Sequence, residues 1–261
     1  VTVWLDGSFV PPEAAQVSLL DEGVRYGLGL FETMRGARGQ VPWLDRHLAR
    51  LAASAERLGI PRPPTWAALP DALRAMARGP RDQRLRVTLT AASRLVATAE
   101  PLTVSTEPLR VELRPGHPGA HNPVAGMKTL AYLPYHLARM AARRAGYDEA
   151  LLTDERGRVI EGCAHNLFVV TPEGQVITPP LSDGPLAGVA RAWALERLPA
   201  MGLSGQERSV SPPDLSGAAE VFLTNAVVGV VSAVQVGGQP LPIGPVAQGL
   251  QAAHRALWES R

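Results

Sequence analysis

The sequence predicts a two-domain α+β protein, and three features of it do so. Short strand-like runs rich in Val, Leu and Thr alternate with stretches whose apolar residues recur at helical spacing. The strand-like runs of the first ~115 residues are separated by turns, which favours antiparallel pairing. A Pro-, Gly- and His-rich stretch without periodicity, "RPGHPGAHNPVAG" (114–126), then interrupts the pattern. The expected division is an N-terminal α+β domain at 1–115, a linker at 116–126 and a C-terminal domain at 127–261.

The elements follow in order. "VTVWLDGSFV" reads as a β-hairpin turning at Asp6-Gly7. "LLDEGVRYGLGLFETMRG" reads as a glycine-containing loop entering a strand at about Leu30–Gly36, and "ARGQ" turns the chain. In "WLDRHLARLAASAERLGIP", Leu44, Leu48, Leu51, Ala55 and Leu58 share one helical stripe, and Gly59 with Pro61 ends it. "TWAALPDALRAMARGP" is a second, Pro-interrupted helix. "QRLRVTLTAAS" and "PLRVELRPG" are strands. After the linker, "TLAYLPYHLARMAARRAG" is helical up to Gly146. "DEALLTD", "RVIEGCAHNLFVVT" and "GQVITPP" are three strand-like runs, "LAGVARAWALERLPAMG" a helix, and "AEVFLTNAVVGVVSAVQVGG" one or two apolar strands. "PVAQGLQAAHRALWESR" is a terminal amphipathic helix.

Composition narrows the function classes. The 261 residues are 46% hydrophobic and 19% charged, which suits a globular protein with a sizeable core. The net charge is +2 with no block of like charge, so a nucleic-acid partner is not expected. One cysteine, Cys163, excludes an intramolecular disulfide and a multi-cysteine metal site. No apolar run approaches a membrane span, and "VTVWLDGSFV" lacks the basic start and apolar core of a secretory leader. A soluble cytoplasmic protein is the expectation.

Of the 26 basic residues, 25 are arginine and one, Lys128, is lysine. Most solvated positions accept either cation. Chemistry that needs a neutral amine does not, because the arginine guanidinium keeps its proton. Lys128, flanked by Met127 and Leu130 at the end of the linker, is a candidate imine-forming amine. Chance survival of one lysine is the competing reading.

Three further features are candidates. Glu161, before Gly162 in "RVIEGCAHNLF", is either a solvated residue of an edge strand or a carboxylate aimed into a cleft. In "GPLAGVAR", Gly188, Val189 and Ala190 open a helix whose free amides could take a phosphate, or merely start a helix. Thr224 and Asn225 in "FLTNAVVG" could supply more donors, or simply form a polar turn. Arg50 lies off the leucine stripe, and on pattern alone it is solvated. His47, His165 and the other histidines show no metal-ligand spacing, so no metal is expected. There is no GxSxG elbow and no P-loop, and Cys163 reads as a small buried thiol.

The order of these pieces is more specific than any one of them. "HLARL", "MKTLAYL", "GYDEALLTDERGRVIEG", "NLFVV", "ITPPL", "LAGVAR" and "EVFLTNA" occur in succession over nearly the whole chain. This resembles the class IV aminotransferase family, the fold-type IV pyridoxal-phosphate enzymes. The resemblance implies an N-terminal α+β domain, a larger β-barrel-like/α C-terminal domain, and bound pyridoxal 5'-phosphate. It implies that Lys128 holds the cofactor as a Schiff base and shuttles the Cα proton. Glu161 would partner the ring nitrogen. Arg50, Val189, Ala190, Asn225 and Ala226 would hold the phosphate. Tyr26, Thr33 and Arg86 are candidate substrate contacts. A homodimer with its active site between the domains is usual in the family; apolar runs such as "VFLTNAVVGVVSAV" permit one.

Within the family, "YGLGLFETMR", "EGCAHNLF" and "LTNAVVG" most resemble aminodeoxychorismate lyases. That resemblance implies conversion of 4-amino-4-deoxychorismate to 4-aminobenzoate and pyruvate in folate synthesis, driven by aromatisation. The alternative is an aminotransferase of branched-chain or D-amino acids with 2-oxoglutarate, which needs the same lysine. A non-catalytic cofactor-binding relic is a third reading. Several positions depart from the common family patterns: Leu28 replaces the aspartate of "GDG", Ala91 and Ala92 stand near where an arginine clamp would fall, and "VVSAV" lacks the usual proline.

Overall fold

The computed structural model describes residues 1–259. They form two compact units. The first comprises Val1–Val104 together with Met127–Tyr132; the second comprises Ser105–Gly126 and the chain from Leu133 onward. This differs from the expected division at both ends of the linker, for reasons visible in the strand pairing.

In the first unit, β1 (Thr2–Leu5) and β2 (Ser8–Val10) form the expected hairpin. Asp6 and Gly7 both have positive φ, at 45° and 105°, as a primed two-residue turn requires. A short helix, α1 (Glu22–Tyr26), occupies what reads as a loop in the sequence. The Asp21 carboxylate starts it by accepting from Gly23 N at 2.7 Å. Then come β3 (Gly29–Gly36), α2 (Leu44–Arg57), α3 (Leu69–Met76), β4 (Gln83–Thr90) and β5 (Leu95–Pro101). Pro70 falls in the first turn of α3, where its missing N–H costs nothing. The sheet order is β2-β1-β5-β4-β3, antiparallel throughout. β5 is absent from the sequence reading because its run, "LVATAEP", is alanine-rich and weak in β-propensity. It is a strand because β1 and β4 pair with it on both sides, burying Leu95, Ala97 and Ala99. The leucine stripe of α2 packs on this sheet with Leu69, Leu73, Leu85 and Leu89.

The second unit begins with β6 (Leu109–Pro115), which the sequence assigns to the first domain. It belongs here because it lies parallel between β13 (Gly229–Val236) and β7 (Glu149–Thr153) in the second sheet. The other elements are α4 (Leu133–Arg144), β8 (Val159–Gly162), β9 (Asn166–Val170), β10 (Val176–Thr178), α5 (Val189–Arg197), β11 (Gly205–Glu207), α6 (Pro212–Ser216), β12 (Glu220–Asn225), β14 (Gln239–Pro240) and α7 (Pro245–Glu259). The strands run β11-β10-β9-β12-β13-β6-β7-β8, with β14 on β13. β7 to β10 and β12 are buried along nearly their whole length, which explains their continuous apolar runs. Phe168 and Phe222 are cross-strand partners and stack at 4.8 Å, 6° from parallel. The "VFLTNAVVGVVSAV" run is the centre of this sheet and not an outer face.

Two more expectations change. "RVIEGCAHNLFVVT" is two strands, because Gly162 N donates to His165 O (2.7 Å) and folds the chain back. The expected linker is partly built in: Gly116 and His117 both donate to Thr153 O, and His117 is buried. Among the described residues no helix is long and apolar enough to cross a membrane, and no group of three or more His, Cys, Asp and Glu could hold a metal ion.

Candidate active site

Lys128 sits in the first unit, where the chain adds to the free edge of β3. Phe31 N donates to Lys128 O and Leu130 N donates to Gly29 O, each at 2.9 Å. These bonds hold 128–130 extended, so the helix expected from Thr129 starts only at Leu133. Gly29 makes the approach possible: a Cβ there would lie 2.6 Å from Leu130 Cδ1 and 2.7 Å from Leu89 O. Lys128 Nζ is 4.3 Å from the centroid of the Phe31 ring and 5.8 Å from that of Tyr132. Those rings meet edge to face at 5.5 Å. The Arg86 guanidinium is 3.9 Å from the Phe31 centroid. Two cations therefore share one aromatic ring.

Thr33 is the cross-strand partner of Arg86, and alternation puts it on the same face of β3 as Phe31. Tyr26 is 65% exposed at the end of α1, with Arg25 over its ring.

The opposite face of β3 carries Leu30, Glu32 and Met34, all buried. Glu32 is the charge in that apolar alternation. Arg50 Nε and Nη2 donate to its two carboxylate oxygens at 2.7 and 2.6 Å. His47, one turn before Arg50 on α2, places Nδ1 2.7 Å from Glu32 Oε2. Arg50 is thus not the solvated residue that the helical wheel gives; its side chain is 13% exposed. Burial acts to raise the Glu32 carboxyl, but Arg50 and His47 outweigh it and hold it down at about 2. Burial lowers His47, against the pull of Glu32.

Glu161 lies in the second unit on β8, the last strand of its sheet, yet it is buried. Four polar groups from four segments surround it. Leu186 N donates to Oε2 at 2.9 Å and Asn166 Nδ2 to the same oxygen at 3.3 Å. Tyr135 Oη is 3.4 Å from Oε1, and His117 Nε2 is 3.3 Å from it. Asn166 is itself held by Leu186 O at 2.9 Å. The solvated edge-strand reading of Glu161 is therefore corrected. Behind the β8–β9 turn, His165 Nδ1 meets the buried Glu149 at 2.7 Å. Cys163 is buried as expected, and burial with Glu149 beside it pushes the thiol up to about 12.

Gly188 precedes α5, and no side chain caps the helix. The amides of its first turn, Val189 and Ala190 included, are therefore without a side-chain acceptor. A Cβ on Gly188 would fall on Asn166 Oδ1, so the helix start and the Glu161 shell are packed as one piece. The Asn225 side chain is spent on its own turn: Oδ1 accepts from Val227 N and Val228 N at 2.9 Å, and Nδ2 donates to Ala164 O. The side-chain donor expected of Asn225 is thus committed; Ala226 lies within the turn. The buried Thr224 Oγ1 has no hydrogen-bond partner among the described residues.

Sequence reasoning missed Glu32 and the whole Glu161 shell. The glutamate in "LFETM" was legible as a charge on an inward position. His117, Tyr135, Asn166 and the Leu186 amide leave no such mark, because four separate segments bring them together.

The sequence profile of the amino-transferase class IV family matches residues 29–236, which include Arg50, Lys128 and Glu161. The chain belongs to this family. A class IV aminotransferase is an enzyme whose cofactor is pyridoxal 5'-phosphate, as the resemblance in the sequence implies. The chain is 30% identical over 257 residues to a Methanocaldococcus jannaschii protein with a provisional branched-chain-amino-acid aminotransferase name, covering 91% of this chain and 88% of that one. It is 26% identical to a D-alanine aminotransferase of Bacillus licheniformis, covering 96% and 95%. The crystal structure of the branched-chain aminotransferase of Thermoproteus uzoniensis with norvaline superposes with a TM-score of 0.89 at 29% identity, covering 98% and 94%. The two-domain fold-type IV architecture expected of a class IV aminotransferase is the one found. All three relatives carry aminotransferase names, which favours the second of the two activities expected from the sequence over the lyase.

Proposed function

We propose that this class IV aminotransferase moves the amino group of a branched-chain or D-amino acid to a 2-oxo acid. The observation that carries the reading is that Lys128 Nζ and the Arg86 guanidinium both lie against the Phe31 ring, 4.3 and 3.9 Å from its centroid. An amine and a carboxylate-binding cation gathered on one aromatic ring suit an α-amino or 2-oxo acid. Among the described residues Arg86 has no ion pair of its own. The aminotransferase names of the relatives support the same reading.

Pyridoxal phosphate, when bound, supplies an aldehyde that takes up an amino group and a ring that draws electrons from the adjacent carbon. The residues fit that group. Lys128 Nζ would hold the aldehyde carbon. Glu161 is ringed by donors alone, so its oxygens are acceptors throughout and suit one more donor, the ring N–H. The uncapped α5 start would take the phosphate through the amides of Val189 and Ala190. Arg50, and the backbone at Asn225 and Ala226, would complete that grip. As a free amine, Lys128 Nζ would be the base that takes and returns the Cα proton. Arginine could do neither task at neutral pH. Arg86 and Thr33 orient the substrate carboxylate, with Tyr26 at a more exposed position. Phe31 keeps water from the lysine amine.

A second reading, aminodeoxychorismate lyase, retains support from Asn225-Ala226 and from "EGCAHNLF". Both activities use a small amine substrate, and in either case a homodimer is proposed. Its support is the exposed row of Leu133, Leu137 and Met140 on α4. Purified protein with pyridoxal phosphate, 2-oxoglutarate and a panel of L-branched-chain and D-amino acids should form oxo acids continuously, and Lys128→Ala should form none and lose the visible cofactor band. Pyruvate and 4-aminobenzoate from aminodeoxychorismate, without transamination, would instead establish the lyase.

A further inference from the structure

We infer that His117 is a positioning residue that aims Glu161. The inference rests on the role proposed above for Glu161. Its basis is geometric. Gly119 N donates to His117 Nδ1 at 3.0 Å. A backbone N–H can only be met there by a lone pair, so in the neutral ring the proton sits on Nε2. That atom is 3.3 Å from Glu161 Oε1 and 3.3 Å from Tyr135 Oη. The Tyr135 hydroxyl in turn donates to the same Glu161 oxygen. The three groups close a triangle on one face of the carboxylate, while Leu186 N and Asn166 hold the other oxygen.

The histidine is itself fixed. Its side chain is 1% exposed. The Tyr135 ring stands edge on to it at 6.0 Å. Its own amide is tied to Thr153 O at 3.0 Å. The turn that presents Gly119 N needs glycine, since Gly119 has φ +68°. Its carbonyl region also packs where a Cβ on Gly184 would reach it at 2.9 Å. The stretch that reads as a linker thus tethers one imidazole rigidly enough to fix its tautomer. With both oxygens anchored, the carboxylate cannot rotate, and its remaining lone pairs keep one direction.

Two substitutions separate aiming from mere packing. His117→Asn places an acceptor where Nδ1 was and so keeps the Gly119 bond, but it is too short to reach Glu161. His117→Gln puts an amide N–H at the position of Nε2. Binding of pyridoxal phosphate, followed by its visible band and by equilibrium titration, should weaken about tenfold or more in His117→Asn and stay within about threefold in His117→Gln, the difference expected of one hydrogen bond to a charged group. Glu161→Gln should weaken it at least as much as His117→Asn. Histidine ¹⁵N NMR of the full chain, with and without cofactor, should show Nε2 protonated and Nδ1 as acceptor. Equal binding by the Asn and Gln variants, or a proton on Nδ1, overturns the inference. If Glu161→Gln leaves affinity and band unaltered, the role of Glu161 itself fails, while the NMR still reads the tautomer.

Discussion

Lys128 and Phe31 are joined twice: the Phe31 amide donates to the Lys128 carbonyl at 2.9 Å, and the Lys128 amine lies 4.3 Å from the centroid of the Phe31 ring. The backbone bond sets where the lysine starts and the ring sets where it ends. A long, flexible side chain is thereby confined at both ends, and the entropy of ordering it is met by the fold before any substrate arrives.

Phe31→Leu keeps the backbone bond and removes the ring. A cation–π contact contributes about 1 kcal/mol, so kcat/KM for transamination should fall about fivefold. Phe31→Tyr should restore most of it. Steady-state kinetics on the best amino donor read this directly, and equal rates in the leucine variant would remove the ring from the argument.

Arg86→Leu should raise KM for both the amino acid and the 2-oxo acid by about tenfold or more, since a charge-assisted carboxylate contact is lost. Arg86→Lys should recover little, because the planar guanidinium fork 3.9 Å from the Phe31 centroid is gone. A fall in kcat with KM unchanged would place Arg86 outside substrate binding.

Glu32→Gln leaves Arg50 half-paired in a buried setting and should cost about 3–5 kcal/mol in denaturant unfolding. The pH dependence has a definite sign. The folded-state carboxyl is depressed from 4.5 to about 2, so its contribution is complete above 4.5 and is lost as pH falls toward 2. That contribution is about 3 kcal/mol. His47 is also lowered, from 6.5, and so acts in the same direction, with stability declining as pH drops below that value. Wild-type protein should therefore lose stability on acidification through this range, and Glu32→Gln should lose much less. Parallel curves for the two proteins would remove Glu32 as the cause.

Asn225→Ala removes two hydrogen bonds that close the turn after β12 and a third that ties this turn to Ala164 O. At about 1 kcal/mol each, the loss should approach 2–3 kcal/mol, with weaker pyridoxal phosphate binding. Asn225→Asp keeps the acceptor of both amides and should retain most of the stability. Thermal unfolding and cofactor titration of the two variants, side by side, test this.

Much of the fold was legible in the chain. The Asp6-Gly7 hairpin, the leucine stripe of α2 and the apolar runs of β7 to β10, β12 and β13 are local patterns, and local backbone preference makes them readable. So were Lys128, conspicuous as the only amine among arginines, and the succession of motifs that resembles the class IV family. Tertiary structure decided the rest. It made a strand of "LVATAEP", moved β6 to the second sheet and drew 127–132 to the edge of β3. It buried Arg50 against Glu32, spent the Asn225 side chain on its own turn, and gathered His117, Tyr135, Asn166 and Leu186 N around Glu161. Each of these depends on which partner meets a backbone edge or a buried charge. Those partners lie tens of residues away, as Glu161 and His117 do, and no local spacing encodes them.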